Sequence, residues 1–274
     1  RNKYALLSDD EFLRAHWVLY FQYTRKRGDD YINFLMTKFS AKNIFIKHSY
    51  QATSEQAESA ELKDDWSDSE DEDAEPKEQV ESAGTEEAGF LQPIEIWNYV
   101  QHLRNLVRHW HDSFFPEENK KFSQLERTWI DRLNRVRIAY FRPVVAAVLM
   151  TAENTREEER IGLYAAIERF IFLSFRMAEY RSNYLQSHFY TEIRRFLSGE
   201  IRLSEITENL NDRVNSDLPN ILSAFIARND RRFDSGDGFY AWRPGLMYFL
   251  YEYESNLADE KGIHKIDWQS FTKY

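Results

Sequence analysis

Cysteine is absent from this chain of 274 residues, which excludes a disulfide scaffold, a thiolate zinc site and a cysteine nucleophile. The nine glycines are scattered, and they form neither a G-x-x-x-x-G-K-[ST] phosphate loop nor a G-x-G-x-x-G dinucleotide turn. Ser235-Gly236-Asp237-Gly238 reads as a turn, with glycines able to take positive φ but no lysine following. An H-E-x-x-H zinc helix and a G-x-S-x-G nucleophile elbow are both missing. Long apolar runs are missing too: Val144–Met150 falls far short of the ~20 residues that span a bilayer. The opening residues show neither a secretory apolar region nor a transit-peptide composition. The reading is a soluble, cytoplasmic protein, long enough to bury roughly 70–75% of its unfolded surface without a staple.

Basic charge is lacking in one place above all. Between Thr53 and Gly89 fifteen acids stand against Lys63 and Lys77, a net −13 in a chain whose total is −10, so the remainder carries +3. That tract is poor in apolar residues and rich in Glu, Asp and Ser, a composition that predicts disorder. It reads as an insertion in a surface loop, which costs little in closure entropy. A nucleic-acid mimic, or a partner-binding motif around Trp66, is the functional alternative.

What remains has helical period. Ser8-Asp9-Asp10-Glu11 is a capping box opening a helix through Phe12, Trp17, Leu19 and Tyr20. Gly28 ends it, and Asp29-Asp30 begin a second helix through Phe39. Pro93 starts a helix whose Trp97, Val100, Leu103, Val107 and Trp110 fall on one stripe, with Pro116 at its end. Further helices are expected at 122–133, 143–150, 157–180, 184–197, 201–212, 217–228 and 244–258, with Gly199 closing one and Ser204 capping another. No segment alternates as a strand does. The fold class is therefore all-α: an orthogonal bundle of about ten helices, with 1–52 and 90–274 forming one domain around the 53–89 insertion. Trp17, Trp97, Trp110, Trp129, Trp242 and Trp268 fall within apolar patterns and read as core.

Chemistry must then come from charged clusters. His102 and His109 share a helix face, but acidic partners at ligand spacing are missing, so no metal site is expected. RTWIDRLNRVRIAYFRP carries Arg127, Arg132, Arg135, Arg137 and Arg142, either a solvated face paired with Glu126 and Asp131 or a set of phosphate contacts. In RFIFLSFRMAEYRSN, Arg169 and Arg176 are seven apart on one helix and so share a stripe. Arg181-Ser182-Asn183 follows. A buried arginine needs a carboxylate or several carbonyls, and Glu168, Glu192 and Glu252 are the candidates. The rival reading is capture of an anion.

Several long stretches then carry a resemblance: SDDEFLRAHWVLYFQYTRKRGDDYINFL, the Trp97 to Phe115-Pro116 segment, FRPVVAAVL, ERFIFLSFRMAEYRSNYLQSHFY, GFYAWRPGLMYFLYEYE and KIDWQSFTK. Their order resembles the middle of the GmrSD-like proteins, a family resembling Type IV restriction endonucleases that cut modified foreign DNA. The resemblance covers nearly the whole chain except the acidic tract. It implies a parent with an N-terminal ParB-like domain bearing D-G-Q-Q-R and a C-terminal His-Asn-His (HNH) nuclease bearing T-I-E-H-I-x-P. Neither motif lies in this sequence, and Gly262-Ile263-His264-Lys265 does not replace them. The implied role is an internal helical connector that couples nucleotide hydrolysis in front to the nuclease behind, or contacts DNA. It carries no catalytic residue and no cofactor of its own, the parent using a nucleoside triphosphate and a divalent metal. Arg169, Arg176, Arg181, Asn183, Arg132, Arg135 and Arg142 are its polar-network or nucleic-acid candidates. The alternative is a protein-interaction module whose acidic tract serves as a docking or autoinhibitory arm. A free-standing enzyme with an unfamiliar site is a third reading that no motif supports.

Overall fold

A computed structural model describes residues 7–21, 31–44, 91–138, 141–264 and 267–273. Gly28, Asp29, Asp30 and the 53–89 tract lie outside them. Every element among the described residues is helical, and the protein is an all-α bundle. The α-helices are α1 (Asp9–Tyr20), α2 (Tyr31–Lys38), α3 (Ala41–Ile44), α4 (Pro93–Phe114), α5 (Gln124–Val136), α6 (Arg142–Met150), α7 (Glu157–Phe170), α8 (Gln186–Leu197), α9 (Leu203–Asp234), α10 (Arg243–Lys261) and α11 (Trp268–Phe271). Two 3-10 turns, Pro116–Glu118 and Gly238–Trp242, and a π-helical segment, Ile171–Met177, complete the order.

The chain forms two compact units, one of residues 1–31 and 97–274, the other of 32–96. Segments 32–52 and 90–96, expected in one domain with the rest, thus fall in a unit of their own. In its described part Asn43 Nδ2 donates to the Thr37 and Lys38 carbonyls at 2.8 and 3.1 Å, and Leu91 N donates to Asn43 O across 48 residues of sequence. Last-turn carbonyls of α2 that have no helical donor are satisfied this way.

The large unit is organised around α6. Arg142 to Leu149 are all buried, as expected of a short helix apolar on every side, and α1 and α8 pack on it. Phe141, Phe170 and Phe189 join in an aromatic trio with centroids 5.1–5.5 Å apart. The 169–180 stretch, expected as one straight central helix, is different. α7 ends at Phe170, and the next seven residues wind as a π-helix, the wider i→i+5 form that recurs at functional sites. Arg228 donates to the Ala178 carbonyl and the Trp242 indole to the Arg176 carbonyl, so α9 and the 3-10 turn before α10 satisfy its loose end.

Local signals read well. Ser8 Oγ accepts from Glu11 N at 3.3 Å and caps α1. Gly199 closes α8 at φ +81°, and Gly236 and Gly238 take positive φ in their turn. Helices expected at 201–212 and 217–228 are one helix, α9, which runs through Pro219. Ser204 does not cap it: Arg202 occupies the cap position, and its N–H donates to Glu205 Oε1 at 2.8 Å.

The buried face of α4 also departs from expectation. Trp97 is 60% exposed, and Val100 and Val107 also face outward. Inward positions are Leu106, Trp110 and Ser113, with Tyr99 and His102 packed against His16 and Tyr20 at 4.8–5.5 Å. Hydropathy undervalues Tyr and His, whose ring bodies fill core space well, so the apolar count selected the wrong stripe.

His16 is fully buried and neither ring nitrogen has a partner. Burial, aided by His102, pushes its pKa down to about 3, while burial alone pushes His102 down. Between pH 6.5 and 3 the unfolded chain takes up a proton that native His16 refuses, so stability must fall as pH drops through that window. The slope should approach ~1.4 kcal/mol per pH unit per histidine. Denaturant unfolding at pH 7 and pH 5 checks this, and His16→Phe should flatten the difference by about one proton's worth.

Candidate functional site

The arginine clusters separate into two sets with different partners. In the first, α5 projects Arg132 and Arg135 toward α7 and α10. Arg135 Nε donates to Glu252 Oε1 at 2.7 Å, its Nη1 reaches Asp131, and its guanidinium lies over the Tyr251 ring at 5.1 Å. Arg132 Nη2 donates to Glu168 Oε1 at 3.3 Å, and its Nε lies 3.6 Å from Glu252 Oε2. The Tyr248 hydroxyl donates to Glu168 at 2.7 Å. Burial opposes both charges, but Glu168, Tyr248 and Glu252 outweigh it for Arg132, as Glu252, Asp131 and Tyr251 do for Arg135, and both arginines stay above the ordinary range. About two turns earlier on the same helix, buried Glu126 accepts a bidentate pair from Arg160 at 2.7 and 2.8 Å, with the Tyr164 hydroxyl also donating to it. This fork–fork geometry is the strongest arginine–carboxylate arrangement. It was missed because Glu126 reads as a solvent partner for its own helix, whereas Arg160 lies 34 residues away.

Glu168 and Glu252 therefore serve α5, not the arginines of the 169–181 stretch. Glu192 serves no arginine among the described residues: it accepts from Asn209 and lies 3.4 Å from His188. Arg169 donates to Asn211 and Asn215 of α9 at 3.3 and 2.8 Å. Arg176 donates through Nη2 to the Val136 carbonyl at 2.8 Å. Among the described residues neither meets a carboxylate, contrary to the expected pairing. The π segment between them takes extra residues per turn, and the two side chains reach different helices, α9 and α5, rather than one stripe. Arg181 and Asn183 are exposed in the turn before α8, where the Asn183 carbonyl accepts from Gln186 N.

The second set surrounds a cleft. Arg142, at the first turn of α6, is buried. It donates to Ser113 O and Oγ at 2.9 and 3.2 Å and to Asn134 Oδ1 at 3.0 Å, and it stacks 3.4 Å above the Phe114 ring. All these oxygens are neutral, and burial pushes its pKa down to about 9. Arg137 caps α5 in the left-handed region at φ +72° with its side chain exposed. Arg176 is held below the ordinary arginine range by burial and by the neighbouring Arg137 charge. These three, with Arg14, Glu11, Trp110, Tyr180 and Tyr190, line a cavity of about 550 Å³.

On α4, His109 and His111 lie 3.8 and 3.7 Å from Asp112, an acid that the sequence reading overlooked. No group of three possible ligands converges as a metal site would require among the described residues. No described helix is long and apolar enough to cross a membrane. No family model, curated protein or solved structure matches the chain.

The two sets predict opposite responses to losing a charged side chain. Left-handed backbone costs a non-glycine residue about 1–3 kcal/mol, partly offset by the ~0.5–1 kcal/mol of chain entropy that glycine loses. Arg137→Gly should therefore raise unfolding free energy by about 1 kcal/mol. Glu252→Ala should lower it by ~3–5 kcal/mol by removing the buried carboxylate that Arg132 and Arg135 share. Urea unfolding of both variants measures the contrast.

Proposed function

We propose that this protein is the internal helical connector of a GmrSD-like, modification-dependent DNA restriction protein acting in the cytoplasm, coupling a nucleotide-hydrolysing front domain to an HNH nuclease and contacting DNA. The observation that supports it is the tie through α5. Arg132 and Arg135 join α7 and α10 across 36 to 117 residues of sequence, and Glu126 adds a second bond to α7. A relay needs helices that move as one piece, and buried bidentate or doubly paired charges supply stiffness and register, because each pair tolerates only one geometry. DNA and the flanking domains are the partners under this reading. The parent would bring the nucleoside triphosphate and the divalent metal, and this segment would take no catalytic part.

The coding sequence on either side is the first test: D-G-Q-Q-R upstream and H-I-x-P downstream are expected. In that full-length protein, Glu252→Gln should reduce nucleotide-stimulated DNA cleavage roughly tenfold, equivalent to about 1.4 kcal/mol of coupling. Nucleotide hydrolysis should be left intact. Equal loss of both activities, or flanks without either motif, would remove the connector reading.

A further inference from the structure

We infer that the cleft between α1, the α5–α6 junction, the π segment and α8 is a binding site for a phosphate group, held by Arg137, Arg142 and Arg176. The first ground is charge. Arg137, Arg142 and Arg176 line the cavity against Glu11 as its one carboxylate among the described residues. Arg142 and Arg176 spend their bonds on neutral oxygens, and the exposed Arg137 side chain donates no hydrogen bond among the described residues. Three like charges facing a single carboxylate repel one another, and an anion among them lowers that repulsion.

The second ground is the polarity of the wall. Tyr180, Ser182, Gln186 and Tyr190 add further polar groups.

Phosphate fits better than carboxylate. The guanidiniums come from three different elements, and a tetrahedral anion presents oxygens in several directions, whereas a single arginine fork saturates a carboxylate. At about 550 Å³ the cleft exceeds a bare phosphate, so the group arrives attached to a larger body. A nucleotide and a nucleic-acid backbone share this chemistry. The inference stands on the cleft alone and does not depend on the connector reading.

Calorimetric titration of the 274-residue chain with inorganic phosphate, at ionic strength held constant with chloride, tests it. Binding is expected, weakened roughly tenfold or more by Arg137→Gly and by Arg176→Gln, as loss of one charge-assisted hydrogen bond implies. Arg176→Lys should recover part of the loss, and Arg169→Gln, outside the cleft, should change nothing. Because Arg137→Gly is expected to fold at least as stably as the parent, lost binding in it reports the site rather than unfolding. No phosphate heat above chloride, or equal affinity in Arg137→Gly, Arg176→Gln and parent, overturns the proposal. Competition then assigns the source: displacement of phosphate by a nucleoside triphosphate indicates a nucleotide, and displacement by a short DNA duplex indicates a backbone phosphate.

Discussion

A guanidinium leaving water must find oxygen atoms to accept its five donors, and the way each arginine meets that demand organises the large unit. α5 is where the demand concentrates. Its Glu126 receives Arg160 from α7, and its Arg135 reaches Glu252 of α10. Between them Asn134 donates to the Ser113 and Phe114 carbonyls of α4 while accepting from Arg142 of α6. One helix of thirteen residues is thereby tied to four neighbours by polar bonds of fixed geometry. Apolar packing alone would allow these helices to slide by fractions of a turn. The directional bonds remove that freedom, so the positions of everything beyond the end of α5 follow from them.

The π segment is the second consequence of where donors and acceptors fall. Winding Ile171–Met177 in wider turns leaves carbonyls at its end without the usual helical donor, a defect that would be costly if buried and unmet. The Trp242 indole and Arg228 supply donors, and Arg232 pairs with Glu179, itself in the left-handed region at φ +54°. The irregular backbone is therefore over-determined by tertiary partners from α9 and from the turn before α10. Its effect is to carry Arg176 away from the face of Arg169 and against α5.

This explains what could be read in the residues and what could not. Caps and stops act within four residues, so Ser8, Gly199 and the 235–238 turn were legible, as was the all-helical class. Partners across the bundle were not, since spacing along a helix specifies neighbours only on that helix. Glu252 lies 117 residues from Arg135, and nothing in the spacing of either joins them. The π-helix has no compositional mark, and its absence from the reading put Arg169 and Arg176 on one stripe. In α4 the failure was of scale: a face built from Tyr99, His102, Leu106 and Trp110 is core in volume but weak in hydropathy. The cleft needed Arg137, Arg142 and Arg176 together, and the sequence placed the first two in one basic cluster and the third in another, with nothing to join them.

Arg137 concentrates the tension in the structure. A helix C-cap in the left-handed region favours glycine or asparagine, yet a long cation stands there, beside a second cation whose charge it disturbs. Backbone strain and like-charge repulsion are separate costs, and both fall on the same wall of the same cavity. Proteins tolerate such local losses where the surroundings hold the conformation firmly. Here the ties through Glu126, Asn134 and Arg135 fix α5 up to the residue before the cap, so the strain has no route of release by shifting the helix. The rigid part of α5 and its strained end are thus one arrangement: the ion pairs and hydrogen bonds that fasten the helix to four neighbours also hold an uncompensated guanidinium at the edge of the cleft.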